Sequence, residues 1–437
     1  MEQHHPARKA AVALLMGLAL WSTAALAAPG DPLGPPLAVN TYQAGAERIT
    51  ALAASQADFR VFWVSSTASS VHSFQTRYDS VGNPLTGDVA VPGYSGVGDA
   101  ASAPDGRHVI ISYGYDGNRA RLVGRRYASD GSMVGSDFEI TDPLDTVGVL
   151  TTGFPRVAMN AAGDFVVVWG QGKPSANSGP TCNGGFGAPR TCLGSYQTKI
   201  LARRYTDGGM SAQPIVTVDS ASFTTALVYG LGAEALGPEI SYPSVALANN
   251  GSYAVSWTSN SEISPLVRQR QVKLRHYPAS GAVPLARTVE DATTLAGSQV
   301  VFDGMGNSVV VFRKHAFGNQ SAASLWLRRY STSSHNALGP ALRVDTGLQM
   351  QQEDQLAAAS DGNGSVVVAW TDPAGVYFQR YAAGGAAAGG NVKVSVGGVT
   401  HRSAKIAWGS GRFMIGWTQS LDPYSQSDVK ARLYEGP

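Results

Sequence analysis

The chain has 437 residues, a formal net charge of +2 and charged side chains at only 15% of positions, with 51 glycines. So small a net charge argues against a nucleic-acid partner or a polyanionic surface. Sparse charge and abundant glycine suit a domain of many short strands and turns.

The N-terminus carries Arg8 and Lys9, an apolar stretch from Ala10 to Leu20, and the small residues Ala25-Leu26-Ala27. This is the pattern of an export signal cleaved after Ala27, residues 1–27. No cysteine follows the site to carry a lipid anchor. No later run reaches the roughly 18 apolar residues that a membrane helix needs. The expectation is a secreted or periplasmic protein without membrane insertion.

One pattern then recurs along the remaining length. An apolar strand ending in Trp63, Tyr113, Trp169, Trp257, Phe312, Trp370 or Trp417 is followed each time by a strand ending in Tyr78, Tyr127, Tyr205, Tyr277, Tyr330, Tyr381 or Tyr434. The unit is clearest in the third copy. There Pro155-Arg156-Val157-Ala158 reads as a first strand, Gly163 as a turn, and Phe165-Val166-Val167-Val168-Trp169 as a strand covered on both faces. A third strand ends at Arg203-Arg204-Tyr205, and Asp207-Gly208-Gly209 turns the chain into a fourth, Ile215-Val216-Thr217-Val218. Seven such units predict an all-β fold, a seven-bladed β-propeller of four-stranded antiparallel blades. The repeats fall near 44–94, 97–142, 153–220, 242–291, 297–346, 354–396 and 401–437, within a single domain over 28–437.

The last unit stops after Ala431-Arg432-Leu433-Tyr434 and lacks its fourth strand. Leu37-Ala38-Val39-Asn40-Thr41-Tyr42 precedes the first unit and resembles the outer strand Leu342-Arg343-Val344-Asp345-Thr346. Residues 36–43 are therefore predicted to close the ring beside residues 429–434, leaving no open seam.

The two cysteines, Cys182 and Cys192, lie in one Gly/Pro/Ser-rich insertion. In an exported protein a disulfide is the default reading. Closing so short a loop contributes about 2–3 kcal/mol by the chain-entropy estimate.

In a meander blade, the turns between strands one and two and between three and four lie on one face of the disc. The two-to-three and blade-to-blade connections lie on the other. The first set is tight here, as in Asn160-Ala161-Ala162-Gly163. The second carries the insertions, at 170–198, 219–241, 258–271, 314–323 and 418–428. The loop-bearing face is thus the expected functional surface, because binding concentrates on loops held by a rigid scaffold.

The arginines at or next to the residue before each repeat tyrosine, such as Arg77, Arg204 and Arg380, occur once per blade. A single site cannot use seven symmetric copies, so these read as structural. A site is expected where a blade departs from the pattern. Blade five ends its second strand in Phe312-Arg313-Lys314-His315. Blade two has Tyr115 and Asp116 with Arg119 following; first strands line the axis in propellers, so Arg156 is expected at the channel mouth of the loop-bearing face together with His401, Arg402 and Tyr242. The first strand of blade seven begins His401-Arg402, and that of blade four begins Tyr242. His315, His401, Tyr242, Arg313 and Arg402 form the candidate catalytic set, and Tyr115, Arg119, Arg156 and Lys314 the candidate binding set. Arg, Tyr and His together would suit β-elimination of a uronic-acid polymer, with Arg neutralising the carboxylate and His or Tyr moving the proton.

Other chemistries find less support. The acids are scattered, whereas glycoside hydrolysis needs a pair at set separation, and no Gly-x-Ser-x-Gly elbow occurs. The Asp-Gly pairs lack the alternating acids of a calcium loop, and no zinc spacing links the histidines. Neither a metal nor a cofactor is expected.

The units, above all Gly163 to Trp169 with Arg204-Tyr205 and Gly364 to Trp370 with Arg380-Tyr381, resemble a propeller repeat of large bacterial exported and surface proteins. In outline they are similar to integrin-like propellers, without the calcium loops. The Ser-x-Asp-x-Gly-x-x-Trp box of sialidases is not found. Some polysaccharide lyases are seven-bladed propellers with His, Tyr and Arg sites, and the likeness to them is one of residue type, not motif. The expected function is binding of an extracellular polysaccharide or protein on the loop-bearing face, and the alternative is a polysaccharide lyase.

Overall fold

A computed structural model of the chain describes residues 27–92, 96–116, 119–141, 155–174, 181–183, 190–229, 240–264, 267–279, 286–292, 295–316, 319–346, 356–397, 400–420 and 427–436. All but the last residue of the export-signal reading lies outside them. Seven antiparallel sheets are formed, and five consist of four consecutive strands paired in sequence order. Blade six is typical, with strands Leu356–Ser360, Val366–Asp372, Gly375–Tyr381 and Val392–Lys393. No helix occurs among the described residues. The chain is a seven-bladed β-propeller.

The second strands are apolar runs because neighbouring blades cover both their faces, and Val366–Asp372 is buried at every position. Trp63, Trp169, Trp257, Trp370 and Trp417, at or near the ends of these strands, are at most 2% exposed. Each sits in a cluster built from two blades. Trp257 and Tyr277 of blade four, for example, pack on Val166, Val168 and Ile200 of blade three. The repeat tyrosine also stacks on the residue opposite it at the start of the second strand, as in Phe165–Tyr205 and Tyr253–Tyr277, both at 4.4 Å between centroids. Seven interfaces of this kind supply the apolar burial that holds the ring.

Polar side chains staple the blades together. Two residues before the repeat tyrosine, an arginine donates to a backbone carbonyl of the preceding blade's outer strand: Arg203 to Ile140 at 3.1 Å, Arg275 to Val218 at 2.6 Å, Arg328 to Val289 at 3.1 Å and Arg432 to Val394 at 3.4 Å. One residue before the tyrosine, another reaches forward to a turn of the next blade, as Arg126 does to Gly209 at 2.8 Å and Arg204 to Ala279 at 3.1 Å. These arginines are structural.

The ring closes as the sequence predicts. Leu37–Ala38 pairs with Ser427–Glu435 as the outer strand of blade seven, and Val39 N–H donates to the Val429 carbonyl at 2.9 Å. Asn40 Oδ1 accepts from Val429 N–H at 2.7 Å, as Asp345 Oδ1 accepts from Leu325 N–H at 2.7 Å in blade five. The resemblance between the two segments is therefore a shared capping role. Pairing starts earlier than the predicted residue 36, since Gly30 and Leu33 donate to the Glu435 and Leu433 carbonyls at 2.8 and 2.9 Å. Prolines on either side of this stretch hid it, because proline is a poor strand former.

The insertions on the loop-bearing side are largely strand, not irregular loop. In blade three the second strand runs over Phe165–Pro174, the third over Arg190–Thr206 and the fourth over Val216–Tyr229, and the ladder reaches Arg190 opposite Tyr229. In blade four Tyr253–Ser264 and Val267–Tyr277 pair to the tip, Ser264 opposite Val267. Alternating polar residues such as Arg268-Gln269-Arg270-Gln271 carry no apolar face, so the sequence offered no strand signal there. Cys182 and Cys192 stand directly opposite each other in the ladder, while their side chains lie outside the described residues.

Candidate functional site at the axial channel

The first strands line a channel along the propeller axis, and their register decides which side chains enter it. Arg156 lies opposite Val168, Ser244 opposite Ser256 and Lys405 opposite Gly416. Each partner precedes the strand-ending tryptophan, so the three positions are equivalent in blades three, four and seven. Asp99 and Gln299 join them around a central chamber of about 160 Å³.

Three of the five close the ring. Asp99 Oδ2 accepts from Val157 N–H at 3.0 Å, Ser244 Oγ from Val300 N–H at 3.1 Å and Gln299 Oε1 from Ala358 N–H at 3.0 Å. In each case a side chain of one blade satisfies a backbone donor of the next. Arg156 and Lys405 depart from this pattern, adding positive charge where other blades use neutral or acidic groups. Burial pushes the Asp99 carboxyl above the usual carboxylate range, opposed by the Arg156 and Lys405 charges and by two backbone donors.

Toward the loop-bearing face the channel narrows to a cleft of about 20 Å³ lined by Arg48, Thr50, Arg156, Ser403 and Lys405 with apolar neighbours. Arg48 and Arg402 occupy equivalent positions, opposite Val64 and Thr418, one step beyond the tryptophan. Three cations, Arg48, Arg156 and Lys405 of blades one, three and seven, thus line this mouth, and no carboxylate lines the cleft among the described residues. The cleft admits a group the size of one water, so it can seat the tip of an anion while the rest of a ligand lies above it.

A bulge sets the blade-four and blade-seven entrances. Tyr242-Pro243 interrupts the ladder between Ser241 and Ser244, and Ser403-Ala404 does so between Arg402 and Lys405. The first bulge residue is left-handed in both, with φ of 54° at Tyr242 and 58° at Ser403. A half-buried tyrosine is an expensive occupant of that conformation.

At the opposite face the channel opens into a vestibule of about 470 Å³ lined by first-strand ends and tight turns. This cavity lies away from the face that the insertions single out.

The sequence-selected residues are dispersed. Arg156 lines the channel, and Arg402 is exposed on the first strand of blade seven, outside the lining of the cleft. His401 is buried, with Nε2 3.0 Å from the Gly397 carbonyl; it therefore donates from Nε2, and burial lowers its pKa. Arg313 is 1% exposed in blade five. Lys314 pairs with Glu290 of blade four at 2.7 Å and lies 4.4 Å from the Trp326 ring centre. Tyr115, Arg119 and His315 occupy strands, and their side chains lie outside the described residues. The described members of the catalytic set do not share a cleft. Arg48 and Lys405 were missed: the bulge at Ser403-Ala404 shifts blade seven out of register, and nothing in the sequence marks a bulge there.

No family model matches the chain, and no curated protein matches its sequence. Among solved structures it is similar to the polysaccharide lyase Uly1, at 9% identity with a TM-score of 0.50, over 89% of this chain and 90% of that one. A protein of unknown function from Dyadobacter fermentans is 11% identical with a TM-score of 0.49, over 92% and 98% of the two chains. The β-propeller domain of the trilobed protease from Pyrococcus furiosus is 7% identical with a TM-score of 0.46, over 91% and 97%. At such identities the likeness bears on the fold alone.

Proposed function

We propose that this is an exported propeller that binds an acidic extracellular polysaccharide on its loop-bearing face, seating a carboxylate at the mouth of the axial channel. The convergence of Arg48, Arg156 and Lys405 carries the reading. A uronate carboxylate meets three positive charges there, in a narrow opening where water screens less than at an open surface. Long β-ribbons extend from blades three and four on the same face, where the rest of a chain of sugars would lie. Binding fits better than elimination, because no described general base shares the cleft with the cations.

Titration calorimetry with polygalacturonate, alginate and hyaluronan, each against a neutral glucan, tests this reading. Saturable binding to an acidic polymer that weakens with salt is expected. Binding to an acidic protein and to no glycan would redirect the proposal to a protein partner, and absence of binding to any acidic polymer would end it. Accumulation of unsaturated uronate during the same incubations would identify a lyase instead.

A further inference from the structure

We infer a second binding site, for a neutral saccharide, in the vestibule at the tight-turn face. Its floor is apolar: the half-buried side chains of Met159, Leu247, Phe302 and Trp408 form part of it. Five of the described tryptophans are buried, and Trp408 is one of the two that keep an accessible surface. It lies over Phe413 at 5.3 Å between ring centres with 30° between planes, which holds one indole face in place. The turn that follows is the two-residue hairpin Ser410–Gly411 between paired Gly409 and Arg412, with φ of 56° and 72°. This is the tightest hairpin connection available, so blade seven covers its tryptophan with little chain.

The rim has a different chemistry. Gln56, Asn249 and Asn363 are exposed there on turns of blades one, four and six. Asn249 is held by the Ala161 N–H, which donates to its Oδ1 at 3.0 Å. Asn363 belongs to a turn whose backbone N–H donates to Asp361 Oδ1 at 2.7 Å. Side-chain amides offer both donors and acceptors, as a sugar hydroxyl does. No lysine or arginine lines the vestibule among the described residues, and Asp361 is its one carboxylate. Nothing therefore selects an anion, in contrast to the other mouth. A cavity of about 470 Å³ falls within the usual range for small-ligand sites. An aromatic platform below and amides around the rim match the apolar faces and polar edges of one or two pyranose or furanose rings.

The test uses the full mature chain with neutral gluco-, xylo-, manno- and arabino-hexaoses, followed by calorimetry and tryptophan fluorescence. Saturable binding of at least one hexaose is expected, with a change in tryptophan emission. Trp408→Ala should weaken it about tenfold or more, the loss of a stacking platform, and Trp408→Phe should weaken it less. Because Trp408 also packs on the core, the exposed pair Gln56→Ala/Asn363→Ala provides a second reading, expected to lower affinity with an unchanged melting temperature. Arg156→Gln should leave this binding intact, which separates the site from the cationic mouth. Failure of all four hexaoses to bind at millimolar concentration would overturn the inference. So would binding that survives both the Trp408→Ala and the Gln56→Ala/Asn363→Ala changes.

Discussion

Tyr242 holds a left-handed backbone, φ 54°, where the equivalent bulge of blade seven uses serine. A bulky residue in that region costs on the order of 1 kcal/mol or more, and that cost is retained beside the channel mouth. Tyr242→Gly is expected to leave the melting temperature unchanged or higher while weakening acidic-glycan binding several-fold. Unchanged affinity in this variant would make the tyrosine a packing residue only. A second residue-scale consequence concerns acid. Burial holds His276 at a pKa of about 4, with Nε2 2.8 Å from Ser308 Oγ and Nδ1 3.0 Å from His335 Nδ1. The unfolded chain takes up a proton near pH 6.5 that the folded chain refuses. The stability from the neutral ring is therefore complete above that pH and lost as pH falls toward 4. The stability advantage of the native chain over His276→Gln should shrink by about 2 kcal/mol between pH 7 and pH 5. Glu47 and Asp99, raised by burial, act in the opposite sense in both proteins, so the comparison isolates the histidine. Chemical denaturation across that range measures it, and a constant gap would contradict it.

Among the elements, the N-terminal strap joins blade seven to blade one. It pairs with the last strand through residues 30–39, and Asp88 of blade one accepts from Thr41 and Tyr42 N–H, both at 2.8 Å. A chain beginning at Ala44 loses these bonds and the contacts of Leu33, Leu37 and Val39. Its unfolding free energy should fall by roughly 3–5 kcal/mol, and a melting temperature equal to that of the mature chain would refute the closure role. In blade three, Cys182 and Cys192 face each other across an antiparallel ladder, where paired Cα atoms lie within disulfide reach. Alkylation of denatured, unreduced protein is expected to add no mass, and two adducts would exclude the bond. The strap and the blades were legible because apolar alternation, Gly turns and the Trp and Tyr positions repeat in register. The ribbon strands were not, since runs such as Arg268-Gln269-Arg270-Gln271 hold no apolar residue and so show no period-two pattern in the sequence.

The whole molecule is a disc whose two mouths differ in chemistry. Seven equivalent interfaces make the scaffold, so departures from equivalence carry the function. Reading the first strands as axis-lining placed Arg156 in the channel, as the fold has it. It missed Lys405 because a bulge moved it into the channel register, and it missed the vestibule because turns that look uniform in sequence enclose a cavity only when the ring closes. It also grouped His401, Arg313 and Lys314, which the fold spends on burial and on an ion pair with Glu290. The anionic-ligand account rests on charge at one mouth, and the most direct test changes that charge in both directions. Affinity for polygalacturonate should fall about tenfold in Arg156→Gln, the loss of one charged contact. It should hold or rise in Asp99→Asn, which keeps an acceptor for Val157 N–H and removes the opposing carboxylate. Equal affinity in the native protein and both variants, with the fold intact, would contradict a carboxylate seated at the channel mouth.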